Sequence, residues 1–154
     1  ARGLSIEVCS VRHSQGVACR DGGHGCASGR AGAWRRRLGP GATNLITGIG
    51  DAYLDYATMV AITGQVRLDL VHKESHQYVD VVDMLRPVTK WNARIERPET
   101  VPEVVRKALK RAAAERPGPA HLQPSETIAA TDLPGSTTPR SPSAPPPTQP
   151  PAPV

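Results

Sequence analysis

Apolar and polar positions alternate through Leu4-Ser5-Ile6-Glu7-Val8-Cys9-Ser10-Val11, a period of two that predicts a short strand. Arg12-His13-Ser14-Gln15-Gly16 follows as a turn into a helix. Residues 19–37 show neither a period of two nor one of 3.6. Gly22, Gly23, Gly25, Gly29 and Gly32 are scattered through them, and Trp34 is followed by Arg35, Arg36 and Arg37. The segment reads as a loop, and one unusually long for a compact domain. Regular patterning resumes after Gly39-Pro40-Gly41-Ala42-Thr43-Asn44, where Leu45, Ile49, Ala52 and Tyr53 fall on one helical face. Met59 to Thr63 is a short apolar run with β-branched residues, closed by Gly64, as a buried strand would be. Residues 76–86 predict a helix with Val79, Val82 and Met84 inward, ending before Pro87, and residues 88–95 a further strand. The clearest helix spans 101–115. Thr100 and Glu103 have capping-box spacing, Val101, Val104, Val105, Ala108, Leu109 and Ala112 form an apolar stripe, and Pro117-Gly118 stops it. Pro119-Ala120-His121-Leu122 starts a last strand. Strands alternating with helices predict an α/β domain built on a parallel sheet.

Composition changes this picture at the C-terminus. From Thr131 to Val154 the chain is mostly Pro, Ser and Thr, with almost no large apolar side chain to offset the entropy of ordering. We therefore expect a folded unit over residues 1–130 and a disordered, Pro-rich linker or tail over 131–154. With no Phe, two Trp and three Tyr, the core has to rest on Val, Ile, Leu and Ala. The net charge of +5 is local. It comes from the arginine run at 35–37 and from Arg106, Lys107, Lys110 and Arg111, which suit a solvated face near a helix C-terminus. No aromatic platform accompanies them, so nucleic acid is not an expected partner. No apolar run approaches the roughly 18 residues that span a bilayer, so no membrane partner is expected either. Three cysteines, Cys9, Cys19 and Cys26, and no secretory signal fit a reducing, cytoplasmic setting. The chain opens on Ala rather than Met, as a processed chain or a fragment would.

Few residues carry chemistry unaided. Gly39-Pro40-Gly41 opening a helix allows close backbone approach to a ligand, although taken alone a plain structural turn explains it better. Cys19, His24 and Cys26 match no zinc spacing and lack a fourth ligand, so no metal site is expected. His72 and His76 stand four apart, but Lys73 and Glu74 between them do not make a zinc-protease motif. Ser14 beside His13 has no nucleophile elbow around it.

Longer stretches say more. Gly39-Pro40-Gly41-Ala42-Thr43-Asn44-Leu45-Ile46-Thr47-Gly48-Ile49, Ala61-Ile62-Thr63-Gly64-Gln65-Val66, His72-Lys73-Glu74-Ser75-His76-Gln77-Tyr78-Val79-Asp80-Val81-Val82, Arg86-Pro87-Val88-Thr89-Lys90-Trp91-Asn92 and Arg116-Pro117-Gly118-Pro119-Ala120 follow one another at consistent spacing. Together they resemble the N-terminal domain of acetolactate synthase large subunits, enzymes dependent on thiamine diphosphate. Val11-Arg12-His13-Ser14-Gln15-Gly16 resembles the family segment Val-Arg-His-Glu-Gln-Gly. The resemblance implies a parallel sheet, here incomplete, flanked by helices and holding the aminopyrimidine ring of the cofactor. It implies Pro40, Gly41, Asn44 and Gln65 as cofactor-binding residues, with His76, Gln77 and Lys90 lining the same cleft. The intact family decarboxylates pyruvate and joins the product to a second 2-oxo acid, as in branched-chain amino acid or acetoin formation. It works as a homodimer, and a further domain holds the diphosphate through magnesium.

Two departures qualify that implication. Ser14 stands where the family has a glutamate that hydrogen-bonds the ring and starts the proton transfers. A hydroxyl, neutral near pH 7, cannot replace it, so no catalytic residue is assigned. Residues 19–38 keep the family's length but lose its helix and buried strand, as two compensating reading-frame shifts would leave them. Three adjacent guanidinium groups are not expected inside a sheet. The middle and diphosphate-binding domains are not in this sequence. The expectation is therefore an acetolactate synthase-like cofactor domain, inactive as it stands. A non-catalytic dimerisation module, or part of another thiamine-diphosphate-dependent 2-oxo acid decarboxylase or carboligase, are the alternatives.

Overall fold

The computed structural model describes residues 31–36, 38–71, 73 and 77–131, together with His13, Gly16, Gly23 and Gly25. Within them lie four strands, β1 (Gly32–Arg36), β2 (Met59–Thr63), β3 (Trp91–Ile95) and β4 (Pro119–Pro124). They form one sheet in the order β1-β2-β4-β3, with every neighbouring pair parallel. Parallel strands cannot be joined by tight hairpins, and each connection here carries helix. α1 (Pro40–Thr43) and α2 (Ile46–Leu54) lie between β1 and β2, α3 (Val81–Leu85) between β2 and β3, and α4 (Val101–Ala113) between β3 and β4. α5 (Glu126–Ala129) follows β4.

The sheet is covered on both faces. Trp34, Met59 and Ala61 point to one side, where Leu45, Ile49 and Ala52 meet them together with Val81 and Leu85 of α3. Val60, Ala120 and Leu122 point to the other, against Ala108 and Ala112 of α4. This is the α/β architecture that the alternation of strand and helix patterns predicts, with a core of aliphatic residues and one tryptophan. Met59–Thr63 and Trp91–Ile95 fall inside their predicted strands, and Pro119–Pro124 extends the last one.

Several local expectations are corrected. The segment read as patternless to residue 37 contains β1. Arg35 is exposed and Arg36 half-buried, while Trp34 between Ala33 and Arg35 turns into the core. Pairing on β2 alone among the described strands leaves Arg35 and Arg36 access to solvent, and Arg37 lies outside the described residues. Tyr53, expected inward with Leu45, Ile49 and Ala52, is exposed on the last turn of α2. The helix expected over 76–86 is regular only from Val81 to Leu85, and its inward pair is Val81 and Leu85, four apart. Val79 and Met84 pack only partly against that core. Pro87 sits inside a 3-10 turn, Arg86–Val88, that continues the helix rather than ending it. Thr100 makes no side-chain cap, because its hydroxyl is donated backward to the Arg97 carbonyl at 2.8 Å. The expected strand at 4–11, Ser14, the metal candidates Cys19, His24 and Cys26, and the tail beyond Thr131 lie outside the described residues.

Candidate functional site at the carboxyl ends of β1 and β2

In parallel α/β sheets, ligands bind where the strands end and the chain turns into helices. β1 ends at Arg36, whose carbonyl accepts from Gly64 N at 2.9 Å, so the exits of β1 and β2 stay side by side. Beyond β1 the chain turns at Gly39 and enters α1 at Pro40, suited to a first helical position because its missing N–H costs nothing there. Gly39 has φ 64°, and a Cβ on it would lie 2.7 Å from the Gln77 Cβ, so only glycine fits. Its carbonyl accepts from Ala42 N and Thr43 N at 2.9 and 3.2 Å, and Asn44 N donates to the Pro40 carbonyl at 3.2 Å. The result is a fixed one-turn helix with Pro40 and Asn44 exposed, Gly41 half-buried and Ala42 anchored in the core.

Gln65 leaves the end of β2 and is buried. Its backbone bridges to the end of β4, with Gln65 N donating to the Pro124 carbonyl at 3.0 Å and Glu126 N donating to the Gln65 carbonyl at 2.9 Å. Its side-chain amide is also occupied. Nε2 donates to the Val79 carbonyl and Oε1 accepts from Val66 N, both at 2.9 Å. Gln77 stands beside Gly39, itself in the left-handed region at φ 64°. The structure thus brings Pro40, Gly41, Asn44, Gln65 and Gln77 to one end of the sheet. His76 lies outside the described residues.

Lys90 is not in that group; within this chain it lies at the other end of the sheet. Lys90 N donates to Pro119 O at 2.9 Å, at the first residue of β4, whereas Gln65 pairs with Pro124, the last. The rise of a strand separates those two levels by about 16 Å. Nζ instead caps α4, donating to the Ala114 and Glu115 carbonyls at 3.1 and 2.9 Å. Its pKa is lowered by desolvation first and by the nearby Arg111 charge second, with Glu115 opposing. It borders a cavity of about 310 Å³ with Tyr53, Tyr56 and Arg116, at the amino end of the sheet.

Residues 1–84 match the thiamine pyrophosphate enzyme N-terminal TPP-binding domain. The chain belongs to the thiamine pyrophosphate enzymes. It is 43% identical over 112 residues to the probable acetolactate synthase large subunit of Methanocaldococcus jannaschii, which is 73% of this chain and 19% of that protein. It is 40% identical over 114 residues to the acetolactate synthase isozyme 3 large subunit of Escherichia coli K12, 74% of this chain and 20% of that protein. To the acetolactate synthase large subunit of Lactococcus lactis it is 34% identical over 128 residues, 83% of this chain and 22% of that protein. The chain therefore spans about a fifth of the length of these curated relatives. A thiamine pyrophosphate enzyme has to place a flat aminopyrimidine ring against protein, and the turn fits that need in one measurable respect. A Cβ built on Gly41 meets nothing within 4 Å, so the backbone there is open to a planar group, with exposed Pro40 and Asn44 on either side in the chain. No group of three or more His, Cys, Asp or Glu able to hold a metal occurs among the described residues.

Sequence reasoning missed a polar row beneath this site. On the sheet face toward α3, Arg94 donates through Nε to Gln123 Oε1 and through Nη2 to both Asp80 oxygens, all at 3.3 Å. Asp80 Oδ1 also accepts from Asp83 N at 3.1 Å, capping α3. Asn92 Nδ2 donates to the Val82 carbonyl at 2.8 Å. Thr63 Oγ1 lies 2.8 Å from His121 Nε2, and His121 is fully buried, its pKa lowered to about 4 by desolvation. The available signal was spacing. Asn92 and Arg94, and His121 and Gln123, are polar residues two apart in strands, which places each pair on one face.

Proposed function

We propose that this chain forms the pyrimidine-ring half of the cofactor site of an acetolactate synthase-like enzyme. The observation that carries the reading is the Gly39-Pro40-Gly41 turn, open at Gly41 and sited where parallel strands β1 and β2 end. Pro40, Gly41 and Asn44 offer the ring a backbone edge and one polar side chain. Gln65 and Gln77 border it from the end of β2 and from the segment before α3. When bound, thiamine diphosphate supplies the electron sink for decarboxylating a 2-oxo acid such as pyruvate. The residues of this chain contribute binding and orientation. Ser14 cannot take up or release a proton near neutral pH, so the chain lacks the proton partner that the reaction needs. Magnesium and the diphosphate belong to other regions of the intact enzyme. The surrounding protein is a cytoplasmic enzyme of branched-chain amino acid or acetoin formation.

A partner subunit is supported by the outer face of α2. Leu54 is 75% exposed, and Tyr53 and Tyr56 stand beside it as further exposed large apolar residues. Such a patch suits a second copy of the fold in a homodimer.

Amide-resolved NMR titration with thiamine diphosphate and magnesium tests the reading. We expect weak binding, with shifts at Gly41, Asn44, Gln65 and Gln77 and none at Lys90 or Gly118, and no carbon dioxide released from pyruvate. Shifts at the Lys90 end alone, or none at the turn, overturn the site. Turnover of pyruvate overturns the statement that the chain is inert.

A further inference from the structure

The Gly39 turn does not rest on the sheet alone. Its backbone is backed by Gln77, close enough that a Cβ on Gly39 would also come within 3.0 Å of the Gln77 carbonyl. Gln77 holds a left-handed conformation, φ 64°, which costs a residue bearing a Cβ roughly 1 kcal/mol or more and persists only where its surroundings enforce it. The residues that follow it are held to the sheet, largely by polar ties. Gln65, at the end of β2, holds the Val79 carbonyl through Nε2. Arg94, on β3, holds the Asp80 carboxylate. Asn92, two residues earlier on the same strand face, holds the Val82 carbonyl. Val81, between these anchors, is buried in the core. Residues 77–82 are thus a strap tied to the sheet at three points, with Gln77, its first residue, pressed on Gly39.

We infer that Gln65 and Arg94 are positioning residues for the cofactor turn. They latch the 77–82 strap to β2 and β3, and the strap holds Gly39, and with it Pro40–Asn44, in the geometry that receives the ring. The functional part of this inference rests on the proposed cofactor site; the mechanical part does not. The Arg94–Asp80 pair is the stronger tie. It joins two oxygens at equal distance, its side chains are 23% and 37% exposed, and Arg94 is steadied from behind by Gln123 Oε1. Asp80 serves two ends at once, since the oxygen that caps α3 also meets Arg94. Gln65 uses both atoms of its amide within the protein. Its tie to the turn runs through Val79 and Gln77.

Hydrogen exchange on the chain itself tests the latch without any ligand. The reporters are the turn amides of Ala42, Thr43, Asn44 and Leu45, all donated within the turn, and the reference is the amides of β2 and β4. In Arg94→Met, turn amides are expected to exchange about tenfold faster relative to the reference, the loss of one charge-assisted tie. Arg94→Lys, which can still meet Asp80, restores them to within about twofold. Gln65→Met, close in volume, gives a similar loosening and serves if Arg94→Met fails to fold. Turn amides that move only in step with the reference in both Arg94→Met and Gln65→Met overturn the latch. So does an Arg94→Lys variant as loose as Arg94→Met. If thiamine diphosphate leaves the turn unshifted in the NMR titration while the latch variants loosen it, the cofactor reading fails and the latch stands.

Discussion

His121 is the residue at which burial acts most directly on chemistry. It is fully enclosed on β4, with Nε2 at 2.8 Å from Thr63 Oγ1, and desolvation lowers its pKa from 6.5 to about 4. The folded protein keeps the ring neutral where the unfolded chain protonates it. Its stability contribution is therefore complete above pH 6.5 and drains away as the pH falls toward 4, to a total of about 3 kcal/mol. Urea denaturation at pH 7 and pH 4.5 checks this. His121→Gln should flatten the difference, and an unchanged pH dependence in that variant refutes the assignment. Gly39 makes a second, steric case. Gly39→Ala combines a left-handed φ with a Cβ at 2.7 Å from another Cβ, so we expect a loss of about 2 kcal/mol or more by thermal melting. Both effects belong to single side chains, yet only Gly39 was singled out by the sequence, through its place in Gly-Pro-Gly. His121 was read only as part of a last strand, because a histidine's burial cannot be read from its neighbours in the chain.

At the scale of the element, the helices show which end signals were honoured. Ser125 caps α5, its hydroxyl accepting from Ile128 N at 3.3 Å, while Thr100, with the better-known spacing to Glu103, caps nothing. Ser125→Ala should cost about 1 kcal/mol and Thr100→Ala much less, a contrast that paired melting curves resolve. The opposite end of α4 is held by Lys90. Lys90→Met should destabilise by about 1 kcal/mol through two uncapped carbonyls while leaving cofactor-induced shifts at Gly41 and Asn44 unchanged. Were Lys90 part of the cofactor site, those shifts would change. The element most poorly legible was β1. Its strand pattern of Ala33, Trp34 and Arg35 is only three residues of alternation, set among glycines and arginines. Its pairing with β2, from Gly32 opposite Met59 to Arg36 opposite Thr63, is a long-range fact. Should this segment descend from compensating frame shifts, a neighbouring frame of the encoding DNA will read as an apolar strand before Gly39. Absence of such a frame discards that origin.

For the whole molecule, the two faces of the sheet are unequally packed. The side bearing α2 and α3 encloses Trp34, Leu45, Ile49, Met59, Val81 and Leu85, whereas α4 buries fully only Ala108 and Ala112 and leaves Val104, Val105 and Leu109 half-exposed. Local stability follows buried contact, so native-state exchange should show α4 opening at lower free energy than β2 and β4. Equal protection across all three would contradict that layering. Local patterning in the chain was enough to specify an α/β unit, the strand at 59–63, a strand within 88–95 and the long helix from 101. Those patterns are local, set by how side chains project at periods of 2 and 3.6. The same local spelling marked Gly39-Pro40-Gly41 and, through resemblance, suggested the ring-binding role proposed for this end of the sheet. Tertiary structure alone decided which flagged residues meet. It joined Gln77 to Gly39 and Gln65 to Val79, sent Lys90 to the far end, and tied Arg94 to Asp80 across fourteen residues of chain. Such contacts depend on strand order and register, which distant segments set together and no window of sequence contains.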